Sequence, residues 1–505
     1  MENSQQLNAT RRNLLASWPF YVLLLPIFFV LHGVHENFGF IQAADYLPLI
    51  VTYCIAAIVL YLVFFVIYRK AIPAGLIVFY GLSFFFFYGF IQDQLDRFIP
   101  SLNRYTILLS VFFIGGIALL IGLKKTRKKF TKLNLFLNWL LLICTVYDLS
   151  AILLKTAFPP ADKFSVYSLA RNSEYTVCRD CPKPDIYFLL FDEYASSVCL
   201  KNDFNYDNSG LDSFLLNKQF RLQKYSRGNY NFTPFSVSSI LNMSYINGIN
   251  PGAITVEDYA RCNKLIRENE LVKYLSATGY DIVNYSIFDI AGNPSPVDQY
   301  LLPLKTKLIT SRTLSGRAKK QILWNLFYGR FEIKWLANSA LYFYRINNDK
   351  LLRFMEEETD KKNPAPRFVY AHFTMPHPPY FYDGNGKENP PEKLTHDWDK
   401  DKNLYLGYVG YTNKKIRELV NSIQAKTGGK AVIIVMGDHG FRNDKSLPQH
   451  VFLENQNAVY LPGNYKGQYY DSITGVNQFR VLLNTLFNQH IPLLKDSTSF
   501  LTDAQ

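Results

Sequence analysis

The sequence predicts an α/β protein in two parts: an N-terminal bundle of five transmembrane helices, then an α/β domain with a largely parallel sheet covered by helices. Three observations predict it. Apolar runs long enough to cross a bilayer recur up to about residue 155 and then stop. Beyond that point, short continuous apolar runs alternate with helix-periodic stretches, the pattern of parallel strands buried on both faces. Those runs also end in polar residues, where ligands gather in such sheets. A mean hydropathy of −0.03 averages two unlike halves.

The five spans are expected at residues 14–32, 46–68, 73–92, 105–123 and 135–154, each of about 18–23 residues. Runs such as "LIVTYCIAAIVLYLVFFVIY" have no polar face, which excludes helices of a soluble protein. Arg11, Arg12, Arg69, Lys70 and the group from Lys124 to Lys132 fall in alternate loops, against Glu36, Asp45, Asp93 and Asp96 with Arg97 and Arg104 in the others. Basic loops stay cytoplasmic, so the N-terminus is expected inside and everything after residue 155 outside, in a multi-pass protein of the cell membrane. No small-residue cleavage site follows span one, which is expected to be an uncleaved anchor. Asp148, near the outer end of span five, is expected to snorkel. Short loops and scarce buried charge disfavour a transporter.

Of the formal charge of +13, the first 154 residues hold 12 basic and 6 acidic side chains, leaving 42 and 35. Much of the basicity is thus a topology signal, and nucleic acid is not an expected partner. Cys178, Cys181, Cys199 and Cys262 lie outside the spans, where disulfides form. For "CRDC" at 178–181, a structural disulfide or no bond is favoured over a redox or zinc pair, because no second CxxC exists. The organisation expected is 1–155 membrane domain, 156–184 linker, 185–490 α/β domain and 491–505 tail.

In the outer part, "DIYFLLFDEY", "RFVYAHFTMPHPP" and "KAVIIVMGDHG" are the expected strands. Asp192 and Glu193 follow the first, His377 the second, and Asp438 and His439 the third, with His372 inside the second. Tyr408, Tyr411, Ile416, Leu419, Val420 and Ile423 share one helical face, and Gly428-Gly429 ends that helix. In "NYNFTPFSVSSILNMSYI" (229–246), Thr233 is expected as N-cap with Pro234 at the first helical position, and Ile240, Leu241 and Met243 inward. Such a terminus either simply caps the helix or offers a hydroxyl and free N–H groups to an anion.

These pieces together resemble the alkaline phosphatase/sulfatase superfamily. Within it they resemble membrane-anchored, sulfatase-like proteins related to lipoteichoic acid synthases and phosphoethanolamine transferases, which also carry five spans and an outward-facing catalytic domain. The resemblance rests on "FDEY", "NFTPFSVSSILNM", "AHFTMPHPPY", "MGDHG" and "NAVYLPG" at 457–463. It implies a divalent metal, zinc or manganese, held by Asp192, Thr233, Asp438 and His439, with Thr233 as nucleophile and His377 facing the substrate headgroup. A metal ion makes a hydroxyl a competent nucleophile at neutral pH.

Two departures qualify the resemblance. The lipoteichoic acid synthases have Glu at the first ligand position, where this chain has Asp192 followed by Glu193, a candidate second ligand. Sulfatases proper need a Cys or Ser convertible to formylglycine; Thr233 in "TPFSV" cannot become that aldehyde. His450 is a further pocket candidate, Asn229 and Asn231 are candidate substrate contacts, and "YFY" at 380–382 a candidate aromatic platform. His32, His35, His396 and His490 are expected bystanders.

The expected activity is transfer of a phosphoglycerol- or phosphoethanolamine-type group from a membrane lipid, through Thr233, to an outward-facing glycan or lipid acceptor. The alternatives are a phosphate or sulfate ester hydrolase on the same scaffold and a non-catalytic membrane protein.

Overall fold

The computed structural model describes residues 14–158, 176–178, 180–297, 305–318, 334–361, 363–394, 401–463 and 468–503. Arg11, Arg12, His396 and most of the expected linker lie outside them. The chain forms two compact units, Met1–Ala161 with Pro303–Asn325, and Asp162–Leu302 with Leu326–Gln505.

The first unit contains α1 (Tyr21–Glu36), α2 (Ala43–Tyr68), α3 (Ala71–Phe98), α4 (Tyr105–Lys125) and α5 (Thr131–Ala157). Helices α2 to α5 are long and apolar enough to cross a membrane, whereas α1 is a shorter apolar helix of 16 residues. On α2, Val51, Ile55, Val59, Val63 and Val66 are all exposed. A helix apolar on its open face is at home only in hydrocarbon, so the chain is a membrane protein.

The expected first span is interrupted. Helical residues 14–17 stop at Trp18–Pro19, and the helix resumes at Tyr21. Pro19 lacks an N–H and disfavours helical geometry in the residue before it. In lipid, the carbonyls released by such a break need donors. Helix α5 supplies them: Asn138 Nδ2 donates to the carbonyls of Leu15 (2.7 Å) and Trp18 (2.8 Å), and Asn134 Nδ2 to that of Leu15 (3.0 Å). Asn138 Oδ1 accepts the Tyr21 N–H at 2.8 Å.

Asp148 does not snorkel but faces His32 and His35. The Asp148 carboxylate is buried, with His35 Nδ1 at 2.7 Å and His32 Nδ1 at 3.2 Å. Part of the expected 185–490 span also groups with these helices. Arg312 O accepts the Gly89 N–H (2.8 Å), Arg317 pairs with Asp93 (2.8 Å), and Arg312 pairs with Glu36 (2.5 Å).

The second unit is built on a six-stranded sheet. Its strands are β1 (Ile186–Phe191), β2 (Arg221–Leu222), β3 (Asp281–Tyr285), β4 (Arg367–Phe373), β5 (Val432–Gly437) and β6 (Asn457–Tyr460), in the order β2-β6-β5-β1-β4-β3. Strand β1 pairs in parallel with β4 and β5, β3 is parallel to β4, and β6 runs antiparallel to β5. Every residue of β1, β4 and β5 is buried, as their unbroken apolar runs require. The principal helices are α6 (Thr233–Asn242), α7 (Lys334–Asp360), α8 (Lys402–Thr427) and α9 (Gly475–Leu486). Helix α8 buries Tyr408, Ile416, Leu419, Val420 and Ile423 and ends at Gly428 with φ 59°, as expected, while Tyr411 stays half-buried.

Residues 491–503, expected as a tail, pack into this unit. Ile491 and Leu501 are buried, and Ser499 and Asp503 bridge to Tyr230 and Ile254. Cys178 and Cys181 are disulfide-bonded, and Cys199 and Cys262 are buried thiols.

Replacing Asn138 by Leu should strand the carbonyls at the Trp18–Pro19 break. Thermal unfolding of the full chain in detergent is expected to show a loss of about 1–2 kcal/mol. Unchanged stability would refute that role for α5.

Candidate active site

The sheet register brings the polar residues together. Phe191 of β1 lies opposite both Phe373 of β4 and Gly437 of β5. The next residues along the chain, Asp192, Thr374 and Asp438, therefore leave the sheet at one level on its carboxyl edge, the usual ligand edge of an α/β sheet. Asp192 is fastened there by its N–H to Phe373 O (2.9 Å), and its carbonyl accepts the His377 N–H (3.1 Å). Gly440 follows the Asp-His pair because a β-carbon there would collide with the carbonyls of Val451 and Glu454.

Helix α6 delivers Thr233 to this edge. The helix begins one residue earlier than expected: Phe232 is the cap and makes no side-chain capping bond, and Thr233 is the first helical residue. Its hydroxyl, released from capping, lies 3.2 Å from Asp192 Oδ1 and 3.1 Å from His439 Nε2. Ser236, one turn on, donates to Asp438 O at 2.6 Å, which ties this helix face to the end of β5. At the far end of α6, the buried Arg480 donates to Met243 O (2.7 Å), a cation where the helix dipole is negative.

His439 Nδ1 faces the Gly440 carbonyl at 2.8 Å. A carbonyl only accepts, so the ring proton sits on Nδ1 and the Nε2 lone pair faces the cluster. Asp438 Oδ1 accepts two backbone N–H groups, from Glu193 (3.0 Å) and His439 (2.9 Å). Its Oδ2 is buried with no hydrogen-bond partner among the described residues, 3.3 Å from His439 Nε2. Two lone pairs thus face each other with no proton between them, and Asp192 Oδ1 lies 3.8 Å from the same nitrogen. Ligand atoms from Asp192, Asp438 and His439 all lie within 4.8 Å of one another. Such a buried N/O donor set fits a divalent cation of the zinc or manganese type. Burial, and then the nearby Asp438, push the Asp192 carboxyl above its ordinary range. Burial works against ionised Asp438, and the Glu193 N–H donated to its Oδ1 works for it.

The other candidates separate. His377 Nδ1 meets Pro378 O at 2.6 Å and its Nε2 faces Arg442 Nη2 at 3.4 Å; burial and that guanidinium push it down to about 3, so the ring is neutral. Glu193 does not join the metal group. Its Oε1 accepts the Arg442 N–H (2.7 Å), its Oε2 accepts from Asn443 Nδ2 (3.0 Å), and burial raises it to about 7. It anchors the loop after the Asp-His pair.

His372 is packed inside β4 against the Tyr370 hydroxyl (3.1 Å), and burial lowers it to about 4. His450 is half-exposed and pairs with Asp203 at 3.2 Å, away from the cluster. Asn229 and Asn231 are consumed by packing: they bond Val476 N and Ser497 O, and Leu501 N and O, respectively. Tyr380 and Phe381 are buried, leaving only Tyr382 half-exposed, stacked on Tyr411 at 4.3 Å.

Arg442 was not a sequence candidate. It lies 5.0 Å over the Phe232 ring, beside Thr233, and beside His377. A basic residue so soon after Asp-His-Gly was the available signal.

The sulfatase family model matches residues 201–480, more than half of the chain, beginning just after Asp192. The chain belongs to the sulfatase family. Solved structures similar to this chain include the C-terminal periplasmic domain of EcEptC from Escherichia coli. That domain is 11% identical with a TM-score of 0.40, over 68% of this chain and 93% of that one, with the same values for its zinc complex. They also include phosphonate monoester hydrolase SpPMH from Silicibacter pomeroyi, 15% identical with a TM-score of 0.38, over 63% and 76%. No curated protein matches the chain. This sulfatase-family protein is an enzyme whose cofactor is a divalent metal ion, which the buried cluster fits.

Glu193→Gln should leave metal content unchanged and destabilise the domain by about 1–2 kcal/mol through its loop bonds. Asp438→Asn should lose bound metal. Elemental analysis of both proteins checks this, and metal loss in the first would make Glu193 a ligand.

Proposed function

We propose that this protein is a membrane-anchored transferase that moves a phosphoglycerol- or phosphoethanolamine-type group from a lipid to an outward-facing glycan or lipid, with Thr233 as the covalent carrier. The observation that carries the reading is the Thr233 hydroxyl, 3.2 Å from Asp192 and 3.1 Å from His439 at the start of a buried helix. Asp192, Asp438, His439 and Thr233 would hold the metal. When bound, the ion lowers the pKa of the hydroxyl and screens the anionic substrate.

The chain's own residues do the rest. Thr233 Oγ bonds to phosphorus as the bond from phosphorus to the lipid glycerol oxygen breaks. The hydroxyl proton leaves toward Asp192 Oδ1, which already accepts it, and the released diacylglycerol takes a proton from solvent. An acceptor hydroxyl then attacks the same phosphorus and releases its proton to solvent, and the Thr233 oxygen departs and regains the proton that Asp192 took. Arg442 offers a cation to the phosphate beside Thr233. His377, neutral with its ring proton toward Pro378 O, faces the headgroup with Nε2, which accepts a headgroup hydrogen bond in exchange for its contact with Arg442 Nη2.

A threonine in this place supports phospho-group transfer over formylglycine sulfatase chemistry, which needs a Cys or Ser. Membrane helices in the same chain favour a lipid donor, because tethering raises the effective concentration of a membrane-bound substrate. We place the catalytic unit outside the cell, from the distribution of basic loops.

The test is to incubate the full chain with vesicles of labelled phosphatidylglycerol or phosphatidylethanolamine, with and without an acceptor. Label on the acceptor is the expected result; free headgroup alone would indicate a hydrolase. Thr233→Ala should lower turnover by more than about a thousandfold, and retained turnover would remove Thr233 from the reaction.

A further inference from the structure

A second cluster of chemistry-bearing side chains lies in the membrane unit and plays no part in the reaction above. His32 and His35 stand one helical turn apart on α1, so both imidazoles fall on the same face. That face meets Asp148 of α5, whose side chain is 1% exposed. His35 Nδ1 lies 2.7 Å from Asp148 Oδ1, and His32 Nδ1 lies 3.2 Å from Asp148 Oδ2. The three ligand atoms lie within 4.8 Å of one another.

Two features distinguish this group from an ordinary polar contact between helices. Among the described residues, Asp148 pairs with no Lys or Arg; Lys155, the cation further along α5, donates instead to the His35 carbonyl (3.0 Å). A buried carboxylate in hydrocarbon needs compensating positive charge. The second feature is Glu36, whose Oε1 lies 3.5 Å from His32 Nε2 and whose other oxygen is held by Arg312 at 2.5 Å. Metal-ligating imidazoles commonly have a carboxylate on the side of their other nitrogen, and Glu36 stands on that side of the His32 ring.

We propose that His32, His35 and Asp148 form a binding site for one divalent cation of the zinc type, separate from the catalytic cluster. Two imidazoles and one carboxylate are a zinc donor set that leaves one position open. The open side is that of His32, whose side chain is 45% exposed. The ion supplies the charge that Asp148 lacks and locks the C-terminal end of α1 to α5, the helix against which α1 chiefly packs.

The test uses the full chain in detergent, stripped with chelator, reloaded with Zn²⁺ alone, desalted and analysed for bound zinc. The wild type is expected to hold one equivalent more than His35→Ala or Asp148→Asn. The same difference of one is expected in an Asp438→Asn background, so the count stands whether or not the catalytic reading holds. His32→Ala alters a half-exposed residue and should leave the protein folded while weakening this zinc at least tenfold. Equal zinc content and affinity in wild type, His32→Ala and His35→Ala would overturn the proposal and leave a hydrogen-bonded histidine–carboxylate group.

Discussion

The catalytic unit depends on one uncomfortable arrangement, lone pairs gathered where water cannot reach them. Asp438 Oδ2 and His439 Nε2 face each other at 3.3 Å, the ring proton is held on the far nitrogen by Gly440, and Asp192 adds a third donor. Left uncompensated in a dry site, such a group is strongly destabilising. The fold nonetheless commits two adjacent strand ends and a helix start to assembling it. A bound cation would resolve the repulsion, and the Thr233 hydroxyl would then stand beside that charge.

The supports of the site follow from ordinary secondary-structure physics. Parallel strands in register put successive C-terminal residues at one height. The sharp path after Asp438 is possible because Gly440 has no β-carbon to meet the Val451 and Glu454 carbonyls. Glu193 spends its carboxylate on holding the following loop, so the two adjacent acids after β1 have separate tasks, one at the cluster and one in the frame.

The parts legible in the sequence were those encoded locally. Strands β1, β4 and β5 announce themselves because burial on both faces demands unbroken apolar runs. Strand β3, an edge strand with mixed residues in "DIVNY", and the two-residue β2 gave no such signal. The Asp-His pair, Thr233 and Asp192 could be singled out from their places at strand and helix ends. Whether Thr233 capped its helix or faced the cluster turned on a boundary shift of one residue, which propensity does not resolve. Asn229 and Asn231 looked available only because the segment that occupies them, around Ser497 and Leu501, is distant in sequence. The membrane unit shows the same limit: Pro19 was visible, but the asparagines that compensate for its break lie more than a hundred residues away.

The measurement that bears most directly on the account is mass spectrometry of the full-length protein, quenched during turnover with a labelled phospholipid and digested. The account predicts a phospho-headgroup adduct on the peptide containing Thr233, absent when Thr233 is replaced by Ala. An adduct on another residue, or turnover with Thr233 unmodified under conditions that trap the intermediate, would contradict it.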